Sequence, residues 1–302
     1  MLVMFPGQGS QSIGMSREVL DLFPYTSLIF EAVEDSTSLR IRSLCAEGPE
    51  DQLRLSEFQQ PSLLAVSVAM WKVLEQEAGI SPSLVAGHSL GEYSALVCSG
   101  VLDLCEAAKV VRMRGAAMQN AVPAGIGGMS AVIGLDEQSV RAACLQVKSG
   151  VVEVANLNAE TQIIVSGHKK SLDELSEYLT GVRIIPLPVS APFHSSLMQP
   201  AQDEMSFYIH KMSYQPSRYS MIPNVSGEVV SQYSPDFLEQ QITAPVLWYK
   251  SMCEAREAGC ETFVECGPGQ VLSGLAKRMF PRGSIRLVAT GSGLRNTLHQ
   301  LG

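Results

Sequence analysis

Two kinds of apolar pattern alternate along the chain. Residues 2–5 are a short unbroken apolar run ended by Pro6 and Gly7, which predicts a buried strand opening into a glycine-rich loop. Residues 61–78 read as a buried helix, with Pro61 placed in its first turn. A short strand at 84–86 precedes a helix at 90–98. Asp103 and Glu106 have the spacing of a capping box before a helix over 104–120. Further on, 262–264 reads as strand, Gly267-Pro268-Gly269 as turn and 270–279 as helix. Strands alternating with helices predict a mainly parallel sheet covered on both faces.

The style changes at Pro123-Ala124-Gly125-Ile126-Gly127-Gly128, a breaker-rich linker. The next stretch reads strand (129–134), helix (137–147), strand (151–155), strand (162–166), helix (171–179) and strand (182–189). That β-α-β-β-α-β order is the ferredoxin-like pattern. The expected organisation is a discontinuous α/β domain (1–122 and 193–302) carrying an inserted small domain (123–192).

Composition narrows the function. In 302 residues, 46 % are hydrophobic, the globular norm, and 22 basic against 30 acidic residues give a net charge of −8. That balance argues against nucleic acid or an acidic membrane surface as partner. No apolar run is long enough to span a bilayer, and the start of the chain has no basic segment of the secretory kind. Seven cysteines are scattered singly, without metal-ligand or redox spacing, which points to reduced thiols in a cytoplasmic protein and to no metal site.

Candidate chemistry begins at Gly87-His88-Ser89-Leu90-Gly91, a G-x-S-x-G pattern between a predicted strand and a predicted helix. Such an elbow lifts the Ser89 hydroxyl clear of the sheet. It also leaves the Leu90 N–H at a helix N-terminus, ready for an oxyanion. A second donor could be the Gln8 N–H in Gly7-Gln8-Gly9-Ser10-Gln11; a phosphate loop or a plain turn would read the same, although the lysine of a P-loop is missing. Of five histidines, His194 stands out because its proline-stiffened loop (188–195) crosses the domain junction, with His88 the next candidate for a base. On the 104–120 helix, Ala107, Val111, Arg114 and Met118 share one face, whereas Arg112 points about 200° away. A buried Arg114 needs an anionic partner, which could be an acid of the protein or the carboxylate of a substrate.

Together these residues resemble the malonyl-CoA:acyl-carrier-protein transacylases of bacterial fatty-acid synthesis, a family shared with polyketide acyltransferases. The resemblance runs from Met1 to about Arg282. It rests on Gly7 to Gln11, Gly87 to Glu92, Arg114-Gly115 with Met118-Gln119, Phe193-His194-Ser195, Asn224-Val225 and Gly267 to Gly269. It implies an α/β-hydrolase-like core with a ferredoxin-like insert, and a cleft between the two. It implies a Ser89–His194 dyad without a catalytic Asp, the histidine oriented by a backbone carbonyl where Gln241 sits. Gln8 and Leu90 correspond to the oxyanion-hole donors, Arg114 to the carboxylate binder, and His88, Met118, Asn158 and Phe193 to supporting or pocket positions. Phe before the histidine accompanies malonyl preference in related polyketide enzymes. The implied reaction moves malonyl from malonyl-CoA to an acyl carrier protein, with no cofactor, by a monomer. Alternatives are a freestanding acyltransferase serving a polyketide synthase and a thioesterase or editing hydrolase, although editing members usually lack the arginine. Lys277, Arg278, Arg282 and Arg286 form the densest basic cluster for an acidic carrier protein.

Overall fold

A computed structural model describes residues 1–189 and 191–302; Ser190, in the loop read as leading to His194, lies outside them. β1 (Leu2–Phe5) is buried along its whole length because it is the middle strand of a parallel sheet. Val3 and Phe5 enter the larger hydrophobic core, while Leu2 and Met4 enter a second core on the opposite face. Short helices α1 (Arg17–Leu22), α2 (Ser27–Thr37), α3 (Ile41–Glu47) and α4 (Glu50–Leu53) follow. Each of these helices buries only one to three residues, too few to show from the apolar pattern alone.

α5 (Ser56–Glu77) begins before Pro61, which therefore lies inside the helix and not in its first turn. Proline leaves the Glu57 carbonyl without its helical donor, yet burial on nearly every side of α5 carries the helix through. β2 (Leu84–Gly87), α6 (Gly91–Cys98) and α7 (Leu104–Asn120) match their expected places. Asp103 caps α7 by accepting from the N–H groups of Cys105 and Glu106. The reciprocal half of the capping box is absent, because Glu106 accepts from Ser213 N–H instead.

The insert comprises β3 (Gly127–Ile133), α8 (Glu137–Cys144), β4 (Val152–Ala159), β5 (Gln162–His168), α9 (Lys169–Tyr178) and β6 (Arg183–Pro186). Its antiparallel sheet has the order β4-β5-β3-β6, with the two inner strands first and third in the chain, as the ferredoxin-like reading requires. β6 is shorter than expected, ending before Pro188. β4 is longer, running through two register shifts, at Ala155 and at Asn158. One face of this sheet packs under α8 and α9 through Val132, Ile163 and Val165. The other, with Met129, Ala131 and Ile164, joins the larger core.

The chain returns through α10 (Gln199–Lys211), β7 (Ser220–Ile222), α11 (Pro235–Gln241), α12 (Trp248–Glu257), β8 (Thr262–Glu265), α13 (Val271–Met279), β9 (Arg286–Ala289) and α14 (Leu294–Leu301). The parallel sheet has the order β7-β2-β1-β8-β9. Its edge strands β7 and β9 are three or four residues long and were not read from the sequence. The fold class is the expected one: a parallel α/β core with a small antiparallel sheet. No helix among the described residues is long and apolar enough to cross a membrane.

Candidate active site

The loops after β1, β2 and β7 emerge together at the carboxyl edge of the parallel sheet, where open α/β sheets bind ligands. Ser89 occupies the turn between β2 and α6 with φ +51°, a left-handed conformation that a non-glycine residue adopts at a cost. The turn is held tightly. Ser89 N–H donates to Asn224 Oδ1 (2.7 Å), and Asn224 Nδ2 donates back to the Gly87 carbonyl (2.6 Å). A Cβ on Gly91 would lie 2.0 Å from the Phe5 carbonyl oxygen, so the elbow can dock on β1 only with glycine there.

The Ser89 hydroxyl meets two side chains. Its Oγ is 2.8 Å from His194 Nε2 and accepts from Arg114 Nη2 at 3.2 Å. His194, also left-handed at φ +57°, donates from Nδ1 to the Gln241 carbonyl (2.8 Å). That carbonyl is free because Gln241 ends α11, where helix carbonyls lack intrahelical partners. The bond fixes the tautomer with Nε2 as acceptor towards Ser89. Among the described residues no carboxylate bonds the His194 ring. Burial first, and then the Arg114 charge, push the His194 pKa down to about 3. The ring is therefore neutral, with its Nε2 lone pair towards Ser89.

Arg114 is fully buried. Nη1 donates to Gln60 Oε1 and Nη2 to Gln241 Oε1, both at 2.9 Å. Nε has no partner, and among the described residues no carboxylate lies in ion-pair contact with this guanidinium. Burial depresses its pKa, opposed by Tyr93 and Glu92, and Tyr93 lies beneath it with the guanidinium carbon 5.6 Å from the ring centre. The sequence left open whether Arg114 pairs with an acid of the protein; here it is held by two side-chain amides and the Ser89 hydroxyl.

A cavity of about 480 Å³ opens between the two sheets beside Ser89 and His194. Gln8, His88, Asn158 and Phe193 line it. His88 Nε2 donates to Asn158 Oδ1 (2.9 Å), turned away from the Ser89 hydroxyl. His88 is thus excluded as the base, and burial keeps its ring neutral. The Gln8 side chain donates to Ser56 Oγ and Gln59 Oε1, pinning the first loop to α5. A Cβ on Gly7 would come within 2.3 Å of the His88 carbonyl and 3.7 Å of Leu90 N, so this loop lies against the elbow. The N–H groups of Gln8 and Leu90 find no acceptor among the described residues.

Met118 is a correction: it is buried in the main core and does not line the cavity. One turn along α7 from Arg114 was enough to face the apolar interior without reaching the cleft. Gln241 is not at the wall either; it stands behind Ser89 and His194. Sequence reasoning missed Gln60 and the Tyr233–Glu92 pair, and it gave no role to Asn224. Their signal was weak, polar residues in otherwise apolar stretches. Away from the cleft, His210, Asp236 and Glu239 bring potential ligand atoms within 4.8 Å of one another at the surface. His210 there already donates to Glu239 at 2.7 Å.

Fold and geometry define the class, an α/β enzyme with a serine on a strained elbow and a neutral histidine against it. The sequence matches the acyl transferase domain family over residues 3–284, and the chain belongs to that family. It is 40 % identical over 282 residues to the malonyl CoA-acyl carrier protein transacylase of Salmonella typhimurium, covering 91 % of each chain. It is 38 % identical over 283 residues to the protein of that name from Bacillus subtilis, covering 91 % of this chain and 89 % of the relative. The FabD structure from Acinetobacter baumannii superposes with a TM-score of 0.94 at 34 % identity, over 99 % of this chain and 97 % of that one. A malonyl-transacylase solved with its type II polyketide acyl-carrier protein gives a TM-score of 0.93 at 36 % identity, over 99 % of both chains.

Proposed function

We propose that this chain moves the malonyl group from malonyl-CoA to the phosphopantetheine thiol of an acyl carrier protein through a malonyl-Ser89 ester. The observation that carries the reading is a buried Arg114, in ion-pair contact with no acid among the described residues, within hydrogen-bond distance of the Ser89 hydroxyl that also meets His194. His194 Nε2 takes the Ser89 proton as Oγ attacks the thioester carbonyl. The oxyanion gathers on the Gln8 and Leu90 N–H groups. Collapse expels CoA thiolate, which leaves with the proton held by His194. In the second half the carrier thiol gives its proton to His194 and attacks the ester, regenerating Ser89. Arg114 pairs with the malonyl carboxylate, fixing the acyl group for a thiol and keeping it from random encounter with water. His88, Asn158 and Phe193 shape the wall.

The chemistry needs no metal or redox cofactor. We divide the chain into a catalytic domain (1–122 and 193–302) and a small domain (123–192), and read it as a cytoplasmic monomer; seven free thiols agree with that compartment. We place carrier docking near the last turn of α13: Val271, Leu272 and Leu275 of that helix line the cavity, and Lys277 and Arg278 follow.

Mass spectrometry after mixing with malonyl-CoA tests the reading. A malonyl adduct should appear on Ser89, vanish in Ser89→Ala, and discharge only when carrier protein is added. No adduct would make the chain a docking module with a relict site. An adduct that decays to malonate without carrier protein would make it a hydrolase.

A further inference from the structure

Glu92 sits in the first turn of α6, directly after the elbow, and no step above uses it. It is 1 % exposed, yet both carboxyl oxygens are engaged. Tyr233 Oη donates to Oε1; the Asn224 N–H (3.1 Å) and Gln241 Nε2 (2.5 Å) donate to Oε2. The last two partners each hold a reacting group. Asn224 Oδ1 accepts from the Ser89 N–H. Gln241 holds His194 through its backbone carbonyl and Arg114 through Oε1, and its Nε2 also donates to the Ser89 carbonyl at 3.1 Å.

A carboxamide has two ends of nearly equal shape, so only its partners tell them apart. With Oε1 towards Arg114 and Nε2 towards Glu92, both ends are matched. Turned over, the NH2 would face the guanidinium and the carbonyl would face the carboxyl. That sets donor against donor and acceptor against acceptor in a buried site, where mismatched polar groups are costly. We propose that Glu92, held by Tyr233, is a positioning residue: it locks the orientation of Gln241 and so seats Arg114 and His194, although it touches neither substrate nor reacting atoms. The proposal rests on the roles given above to Ser89, His194 and Arg114.

The test compares kcat/KM for loading from malonyl-CoA and from acetyl-CoA, with melting temperatures, in Glu92→Ala, Glu92→Gln, Tyr233→Phe and Arg114→Ala. Glu92→Ala should lower malonyl loading by roughly ten- to a hundredfold, the scale of a buried donor set orphaned beside a charge, and should lower the malonyl-to-acetyl ratio by about tenfold. Glu92→Gln should return the ratio to within about threefold of wild type, because its carbonyl can accept from Gln241 and Asn224 while its amide donates to Tyr233. A purely structural role predicts a lower melting temperature with equal losses on both substrates, and that result overturns the proposal. In a Gln241→Leu background Glu92→Ala should change the ratio no further; additive effects also overturn it. Should Glu92→Ala fail to fold, Tyr233→Phe carries the test, with a fewfold drop in ratio expected and an unchanged ratio decisive against. Arg114→Ala separates the layers: if it leaves the ratio intact, the underlying reading fails, and if it alone collapses the ratio, only the role of Glu92 fails.

Discussion

Two arginines two residues apart on α7 lie in opposite worlds. Arg112 faces α2 and α5 at the half-exposed surface. It grips Glu57 through Nε (3.0 Å) and Nη2 (2.7 Å) and donates from Nη1 to the Thr37 carbonyl at the end of α2. Arg114 faces inward, with no solvent and no carboxylate, held by Gln60, Gln241 and the Ser89 hydroxyl. The first is a finished structural contact. The second is a desolvated charge with no carboxylate in direct contact, eased only at a distance by Glu92, which a fold tolerates badly unless something else supplies a contacting anion. The difference shows how function is read from electrostatics: the informative arginine is the one whose partner is missing.

The strongest way to break this contrast is Arg114→Ala. If the cation waits for the malonyl carboxylate, malonyl loading should fall by roughly 10²–10³, the scale of removing one member of a buried ion pair. Acetyl loading should fall far less, since acetyl brings no charge. Arg114→Lys should recover only part of the loss, because an ammonium cannot offer the planar fork. Equal losses for both acyl groups would return Arg114 to a structural role.

A gentler break moves the arginine without removing it. Gly115 lets α7 lie against α5, and a Cβ there would come within 2.3 Å of the Ser56 carbonyl oxygen and 2.8 Å of Glu57 N. Both contacts are backbone, so Gly115→Ala must push the helices apart. Overpacking of this kind costs about 1–3 kcal/mol. Urea denaturation should show that cost, and malonyl loading should drop about tenfold by displacement of the guanidinium. Unchanged loading at reduced stability would mean that the inner face tolerates misplacement.

How much of this was legible beforehand follows the same division. The elbow, the α7 stripe with Arg114 inward and Arg112 outward, and His194 in its stiff loop were all local patterns, and the structure brings Ser89, His194 and Arg114 together. The β-α-β-β-α-β order was visible because each element has its own periodicity. What escaped was set by tertiary contact. Pro61 hid the true start of α5, since buried packing overrode a local breaker. Asn156 follows a register shift of β4 that no alternation announces. Glu92 enters only as the last position of the Gly87-to-Glu92 motif, with no role; only Tyr233, Asn224 and Gln241, distant in sequence, give it meaning. Met118 shows the reverse error, a motif position that belongs to the core.

The inner face should also leave a signature in stability. His194 titrates near 3 when folded, against about 6.5 unfolded. Between those values the unfolded chain binds the extra proton, so the contribution of His194 is complete above about 6.5 and is lost as pH falls towards 3. Glu92 runs the other way. Burial, outweighing its donors and Arg114, raises it to about 7 from 4.5, so its contribution is complete below 4.5 and is lost as pH rises through 7. His194→Gln removes the first effect. In urea melts at pH 7, 6, 5 and 4.5 the variant should gain on wild type as pH falls, by at most about 1.4 kcal/mol per pH unit. A constant gap would show that the histidine is solvated when folded.

The smallest expected effect belongs to the outer face. Arg112→Ala removes a pair whose partners are each about a third exposed, at 37 % and 35 %, and such pairs contribute only about 0–1 kcal/mol. It also removes a donor from the last carbonyl of α2, where a cation suits the helix end by a further ~0.3–1 kcal/mol. The expected loss is therefore about 1 kcal/mol, and it should shrink in high salt as screening weakens both contributions. The malonyl-to-acetyl ratio should not move, because this side chain points away from Ser89 and its bonds end on α2 and α5. A shift in that ratio comparable to that of Arg114→Ala would mean that α7 transmits its outer contacts to the cleft as one rigid body, and the two faces would no longer be separable.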